Sequence, residues 1–175
     1  MSTRVPLPPG VGWEQRVGDL QRSNSWQLDG RAAVAFQGQG WQATLNWRQL
    51  DGGSEIHLAG PFGAGALVLR RTPAGLSLNG APPSEAVLPQ LQERLGFELP
   101  VDHLRYWLLG IPDPAAAFEL TRNEGDRALK IIQAGWTIDY DRYMPVDGDV
   151  LPAHLSVSGE GVRVRIAVDH WERPR

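Results

Sequence analysis

Trp41-Gln42-Ala43-Thr44-Leu45-Asn46-Trp47-Arg48 is the run that decides the fold. Apolar side chains at 41, 43, 45 and 47 alternate strictly with polar ones at 42, 44, 46 and 48, the period of a strand with one face buried and one in water. Gln37-Gly38-Gln39-Gly40 before it and Asp51-Gly52-Gly53-Ser54 after it are hairpin chemistry, because Gly and Asp tolerate the positive φ of tight turns. Gln27 to Phe36 supplies the preceding strand, with Leu28, Ala32, Val34 and Phe36 as inward positions. Ile56 and Leu58, alternating with Glu55 and His57, open the next one. Consecutive antiparallel strands follow.

The same signal continues through Leu67 and Leu69, then Ala117 to Arg122, Ala128 to Gln133, Trp136 to Asp141, Ala153 to Ser158 and Val162 to Val168. About ten or eleven strands without βαβ alternation predict a mainly β fold with an antiparallel sheet. Three segments read as helix instead. Trp13, Val17 and Leu20 form one stripe, ending near Ser23-Asn24-Ser25. Pro82-Pro83-Ser84 starts a second, carrying Leu88, Leu91 and Leu95. Pro100 starts a third, carrying Val101, Leu104, Trp107 and Leu108, and Gly110 and Pro112 stop it. A sheet of this size curls to protect its edges, and the helices offer a cover for one face. The result is a half-barrel or barrel with a helical lid, its interior either solid core or cavity.

Length and composition bound what such a domain can do. The chain has 175 residues, enough for one domain with a substantial core: a leader over 1–10, Pro-rich and expected to be flexible, and a folded domain over 11–175. There is no cysteine, so no disulfide, thiolate metal site or cysteine nucleophile exists. Lys plus Arg number 17 against 20 Asp plus Glu, a formal charge of −3 without a basic cluster, which argues against nucleic acid. No apolar run approaches the roughly 18 residues of a spanning helix, and the start has no signal-peptide apolar region.

Catalytic patterns are missing. His57, His103, His154 and His170 show no metal-ligand spacing, and Asp102-His103 and Asp169-His170 read as solvated surface. Asp147-Gly148-Asp149 lacks the ligand series of a calcium loop, and Gly63-Ala64-Gly65 is followed by Val68 where a dinucleotide fingerprint needs Gly. Neither an enzyme nor a cofactor is expected. Seven tryptophans remain, and they read either as core or as the lining of an apolar pocket. On sheet and helix phase the pocket candidates are Trp41, Leu45, Trp47, Ile56, Leu58, Leu67, Leu104, Trp107, Leu108, Trp136 and Ile138. Gly60-Pro61-Phe62-Gly63 adds an anomaly: turn chemistry puts Phe62 at a hairpin tip, where it either projects into solvent or folds back on its own sheet.

The order of motifs resembles the LolB family of outer-membrane lipoprotein receptors. The matching pieces are Trp13 and Leu20; Gly30-Arg31-Ala32; Trp47; Gly60-Pro61-Phe62-Gly63; Leu99-Pro100-Val101; and Leu104-Arg105-Tyr106-Trp107-Leu108-Leu109-Gly110-Ile111-Pro112, the most specific run. Gly135-Trp136, Tyr140, Tyr143, Leu151-Pro152 and Asp169-His170-Trp171 complete it. The resemblance implies an incomplete antiparallel β-barrel with a helical lid over a hydrophobic cavity for lipoprotein acyl chains. It also implies a soluble periplasmic carrier, LolA, as donor, the inner leaflet of the outer membrane as destination, and a monomer. An apolar residue in a Pro-apolar-Gly loop assists membrane insertion in the family; that position is Phe62, where Leu is the usual residue. Family members are anchored at the periplasmic face of the outer membrane through a lipidated N-terminal Cys. This sequence has neither that Cys nor the preceding signal, so a soluble form is expected, with the leader in the place of the tether. The rival readings are a soluble carrier of the same fold, which should lack the exposed tip, and a β-rich lipid hydrolase, which needs clustered carboxylates or a Ser–His pair.

Overall fold

The computed structural model describes residues 12–60 and 65–173. A helix, α1 (Trp13–Gln21), precedes five strands: β1 (Trp26–Phe36), β2 (Gln39–Leu50), β3 (Gly53–Ala59), β4 (Leu67–Thr72) and β5 (Gly75–Leu78). Two helices follow, α2 (Val87–Leu95) and α3 (Val101–Trp107). The chain then completes the sheet with β6 (Phe118–Arg122), β7 (Ala128–Gln133), β8 (Trp136–Val146), β9 (Asp149–Gly159) and β10 (Val162–Glu172). All ten strands belong to one antiparallel sheet in the order β5-β4-β3-β2-β1-β10-β9-β8-β7-β6. The first half winds outward from β1 to one edge, the second half returns from the other edge to β10, and β10 closes on β1 in the middle. The sheet is therefore open, and α2 and α3 belong to the crossing between its two edges.

Alternation sets the faces. In β2, Ala43, Leu45, Trp47 and Gln49 are buried while Gln42, Thr44 and Arg48 are exposed. Partners across the sheet keep phase: Leu45 faces Gly30 on β1 and Leu58 on β3, and Trp47 faces Leu28 and Ile56. Trp26 stacks on Trp47 at 6.0 Å and meets Trp171 edge-on at 5.3 Å, a three-indole cluster on the inner face where β1, β2 and β10 adjoin. Gly30 sits at the register shift between β1 and β10, and a Cβ there would come within 2.3 Å of the Ala167 carbonyl oxygen, so the sheet bends where no other residue fits.

The structure extends the sequence-based strands in three places. Strand β5 is short and marginal by periodicity, yet it buries Leu76 and Leu78. Strands β8 and β9 run through Pro145 and Pro152, residues that argue against a central strand; register shifts between Tyr140 and Tyr143 adjoin Pro152, whereas Pro145 pairs in register with Val150 near the end of β8. Helix α2 starts at Val87, not at Pro82-Pro83-Ser84, because the Ser84 hydroxyl accepts from the Ala86 N–H in a local turn at 3.1 Å. Val87 and Leu91, four residues apart on one face of α2, are buried, and Leu88 is exposed. Gly96, at φ 85°, ends the helix in the left-handed conformation that favours glycine.

Buried polar groups tie the helices to the sheet. Arg16 of α1 is buried, donates to the Val150 carbonyl at 2.5 Å and pairs with Asp149 at 3.0 Å; Arg173 meets the other Asp149 oxygen at 2.9 Å. Gln133 of β7 uses its whole amide. Its Oε1 accepts from Trp107 Nε1 at 2.8 Å and from the Asp113 N–H at 2.9 Å, and its Nε2 donates to the carbonyls of Asp113 and Ala116 at 2.8 and 3.0 Å. Gln133→Leu removes every partner at once and leaves buried groups unsatisfied. The expected loss is about 3 kcal/mol, read as a fall of roughly 10 °C in a thermal melt; a change within 2 °C or so would show that the amide is dispensable.

Two buried tyrosines should make the fold alkali-sensitive. The Tyr140 hydroxyl donates to the Trp107 carbonyl at 2.6 Å and that of Tyr143 to the Ala128 carbonyl at 2.5 Å. Burial pushes both phenols above their ordinary value of 10.0. A phenol held neutral by the fold contributes stability that is complete below its unfolded pKa and is lost as pH rises above it toward the folded value. Denaturant midpoints should therefore hold steady up to pH about 10 and fall beyond it, and the fall should be smaller in Tyr140→Phe.

Candidate functional site

An apolar cavity of about 50 Å³ lies between the inner sheet face and the two central helices. Its sheet side is built by Ala32 and Val34 of β1, Trp41, Leu45 and Trp47 of β2, Ile56 and Leu58 of β3, and Val164 and Ile166 of β10. Its helical side is Leu95, Leu104 and Leu108, with Phe97 and Leu99 from the α2–α3 link. No charged side chain lines it among the described residues. Leu104 and Leu108 share one face of α3 by their spacing of four, which is why both reach the same space. Trp41 stands at the rim, 37 % exposed.

The cavity unites Trp41, Leu45, Trp47, Ile56, Leu58, Leu104 and Leu108 from the pocket expected by phase. The other four lie elsewhere. Leu67 is buried against its β3 neighbour Leu58 without lining the space. Trp107 is fully buried and committed to Gln133, because one residue before Leu108 is a rotation of about 100° around the helix. Ile138 is sealed in the core of β8. Trp136 lines a separate depression of about 220 Å³ with the exposed Leu88 and with Pro100, Asp102 and Glu160. Phase assigns a residue to a face and not to a height along the strand, hence the mixture. Conversely, Ala32, Val34 and Leu95 carried an inward phase but no pocket role. Phe97 and Leu99, either side of Glu98 and just before Pro100, are the alternation that would have found the link. Phe62 lies outside the described residues, as does the leader over 1–10.

The histidines are not all free surface. His103 Nδ1 meets Asp113 Oδ2 at 2.8 Å and its ring stacks on Trp107 at 5.4 Å, so it braces the lid helix. His57 bonds Glu55 at 2.6 Å, and this bond, followed by that of Arg70, holds the Glu55 carboxyl below its ordinary value. Neither assembly faces the cavity.

The family model described as "Outer membrane lipoprotein LolB" matches residues 24–171. The chain belongs to the LolB family. Among its relatives, the outer-membrane lipoprotein LolB of Pseudomonas aeruginosa is 33% identical over 164 residues, covering 91% of this chain and 80% of that protein. The LolB of Nitrosococcus oceani is 33% identical over 181 residues, covering 98% and 90%. A crystal structure of a LolA superfamily protein from Nitrosomonas europaea superposes with a TM-score of 0.59 over 95% of both chains at 9% identity, which shows a shared fold. A LolB-family chain thus carries its apolar cavity between helices and an open sheet, on a fold it shares with that protein.

Proposed function

We propose that this chain is an outer-membrane lipoprotein receptor: it accepts acylated lipoproteins from a LolA-like periplasmic carrier and places them in the inner leaflet of the outer membrane, as a monomer and without nucleotide hydrolysis. The observation that carries this is the uniformly apolar cavity between lid and sheet in a LolB-family chain. Each methylene removed from water is worth about 0.8 kcal/mol, so a multiply acylated cargo does not cross the periplasm by dissociating; it passes by direct contact. A space of about 50 Å³ is far below the roughly 300–1,000 Å³ of an ordinary ligand site. Capture therefore requires α2 and α3 to move off the sheet. Acyl chains then replace the contacts that Leu95, Phe97, Leu104 and Leu108 make with β1, β2 and β3, so opening is offset by burial of the same class.

Direction follows from a gradient of burial, carrier to receptor to bilayer, with no chemical step. Phe62, in its Pro-Phe-Gly setting, is the group proposed to enter the membrane during release, and residues 1–10 serve as the tether of the domain over 11–175. The test is incubation of the folded chain with lipoprotein-loaded carrier and then with liposomes, in the absence of nucleotide. Transfer to the receptor and then to the liposomes is expected. Capture without delivery would instead make it a soluble carrier, and cleaved acyl product a hydrolase.

A further inference from the structure

A second concavity, larger than the apolar cavity, is a groove of about 570 Å³ on the opposite, outer face of the sheet, crossing β3, β2, β1, β10 and β9. Its floor is small, with Ala33, Ala59 and Ala167 among the lining residues. Its rim is basic, with Arg31, Arg165 and His154, and no carboxylate lines it among the described residues. Register fixes the geometry. Arg31 pairs with Ala167 and Ala33 with Arg165, so the two arginines are diagonal neighbours on adjacent strands, close enough for long side chains to converge. Arg31 is held at one side by Asp169 at 3.1 Å and His154 by Asp141 at 2.6 Å, whereas Arg165 has no carboxylate partner among the described residues.

We propose that this groove binds the phosphate headgroup of an anionic phospholipid at the membrane surface. Two guanidinium groups facing a shallow trough across two strands match a phosphodiester, whose oxygens accept the paired N–H bonds of each fork. The groove ends at Gly60, the residue from which the β3–β4 connection departs, and the proposed function puts that connection at the bilayer; the assignment rests on that reading. A receptor docked there holds its outer face on the headgroups and keeps the lid side free for the carrier. In a chain of net charge −3, such a local basic site gives an anionic surface one defined place to attach.

The test compares sedimentation of the folded chain with vesicles of phosphatidylethanolamine and phosphatidylcholine alone and with vesicles that also contain phosphatidylglycerol. The parent should prefer the second, and the Arg31→Gln/Arg165→Gln variant should lose that preference by about tenfold, as expected for two cations near an anionic surface. Its binding to zwitterionic vesicles should not change. Arg22→Gln/Arg94→Gln removes the same charge from exposed helical sites away from that sheet face and should keep the preference; equal loss in both variants would overturn the proposal, as would a parent without preference. A parent that binds inorganic phosphate at these two arginines yet shows no preference for phosphatidylglycerol vesicles would assign the groove to a free anion. Phe62→Glu separates the two readings: it should lower binding to both vesicle types while retaining the preference for phosphatidylglycerol. If it lowers neither, the membrane role of Phe62 fails and the arginine comparison still decides the groove.

Discussion

Leu45→Glu should abolish acyl-chain capture. Leu45 is buried in the middle of β2, faces Leu58 on the next strand and lines the cavity beneath the lid. A carboxylate there has no partner among the lining residues, and an uncompensated buried charge costs several kcal/mol. Two outcomes compete for that cost. Either the lid stays displaced so that water reaches the charge, or the domain loses stability as a whole. Leu58→Glu resolves the ambiguity, because Leu58 lines the same space while half-buried, so its carboxylate can reach solvent without unfolding the sheet. In both variants lipoprotein taken from loaded carrier should fall at least about tenfold, the cost of roughly 1.4 kcal/mol or more at the acyl contact. Circular dichroism and a thermal melt run beside the transfer assay. Undiminished capture by a folded Leu58→Glu protein would show that acyl chains bind elsewhere.

The parts of this molecule that were legible in the sequence are those governed by local rules. Strict alternation from Trp41 to Arg48 sets β2, its face and, through the flanking Gly-rich turns, its antiparallel neighbours. Helix α3 follows from Pro100 and the Leu104–Leu108 spacing. What escaped needs tertiary knowledge. Pro152 sits in β9 opposite Tyr143, at a register irregularity that no periodicity announces. Trp107 and Leu108 are adjacent in sequence, yet one bonds Gln133 and the other lines the cavity, because one-residue steps on a helix lead to different environments. The outer groove was illegible for the same reason. Arg31, Arg165 and His154 are scattered along the chain and converge only when β10 closes on β1.

Phe62→Glu should separate receiving cargo from delivering it. Pro61 and Gly63 flank Phe62 in the stretch of sequence between β3 and β4, and that turn chemistry predicts a position outside the alternating strand pattern. In the proposed membrane contact its ring would contribute roughly 1.5–3 kcal/mol when fully removed from water, and a carboxylate at the same position adds the cost of bringing charge toward the acyl region. Uptake from the carrier, proposed to use the apolar space bounded by Leu45, Leu58 and Leu104, should persist. Release into liposomes should drop by about tenfold or more. Phe62→Leu keeps an apolar group and should retain most delivery, since what the interface rewards is area removed from water and not aromaticity. The measurement is lipoprotein bound to receptor and lipoprotein recovered in liposomes, for the three proteins side by side. Equal delivery by the Glu variant would sink the membrane-finger role, and loss of uptake together with a lowered melting temperature would place Phe62 in the core.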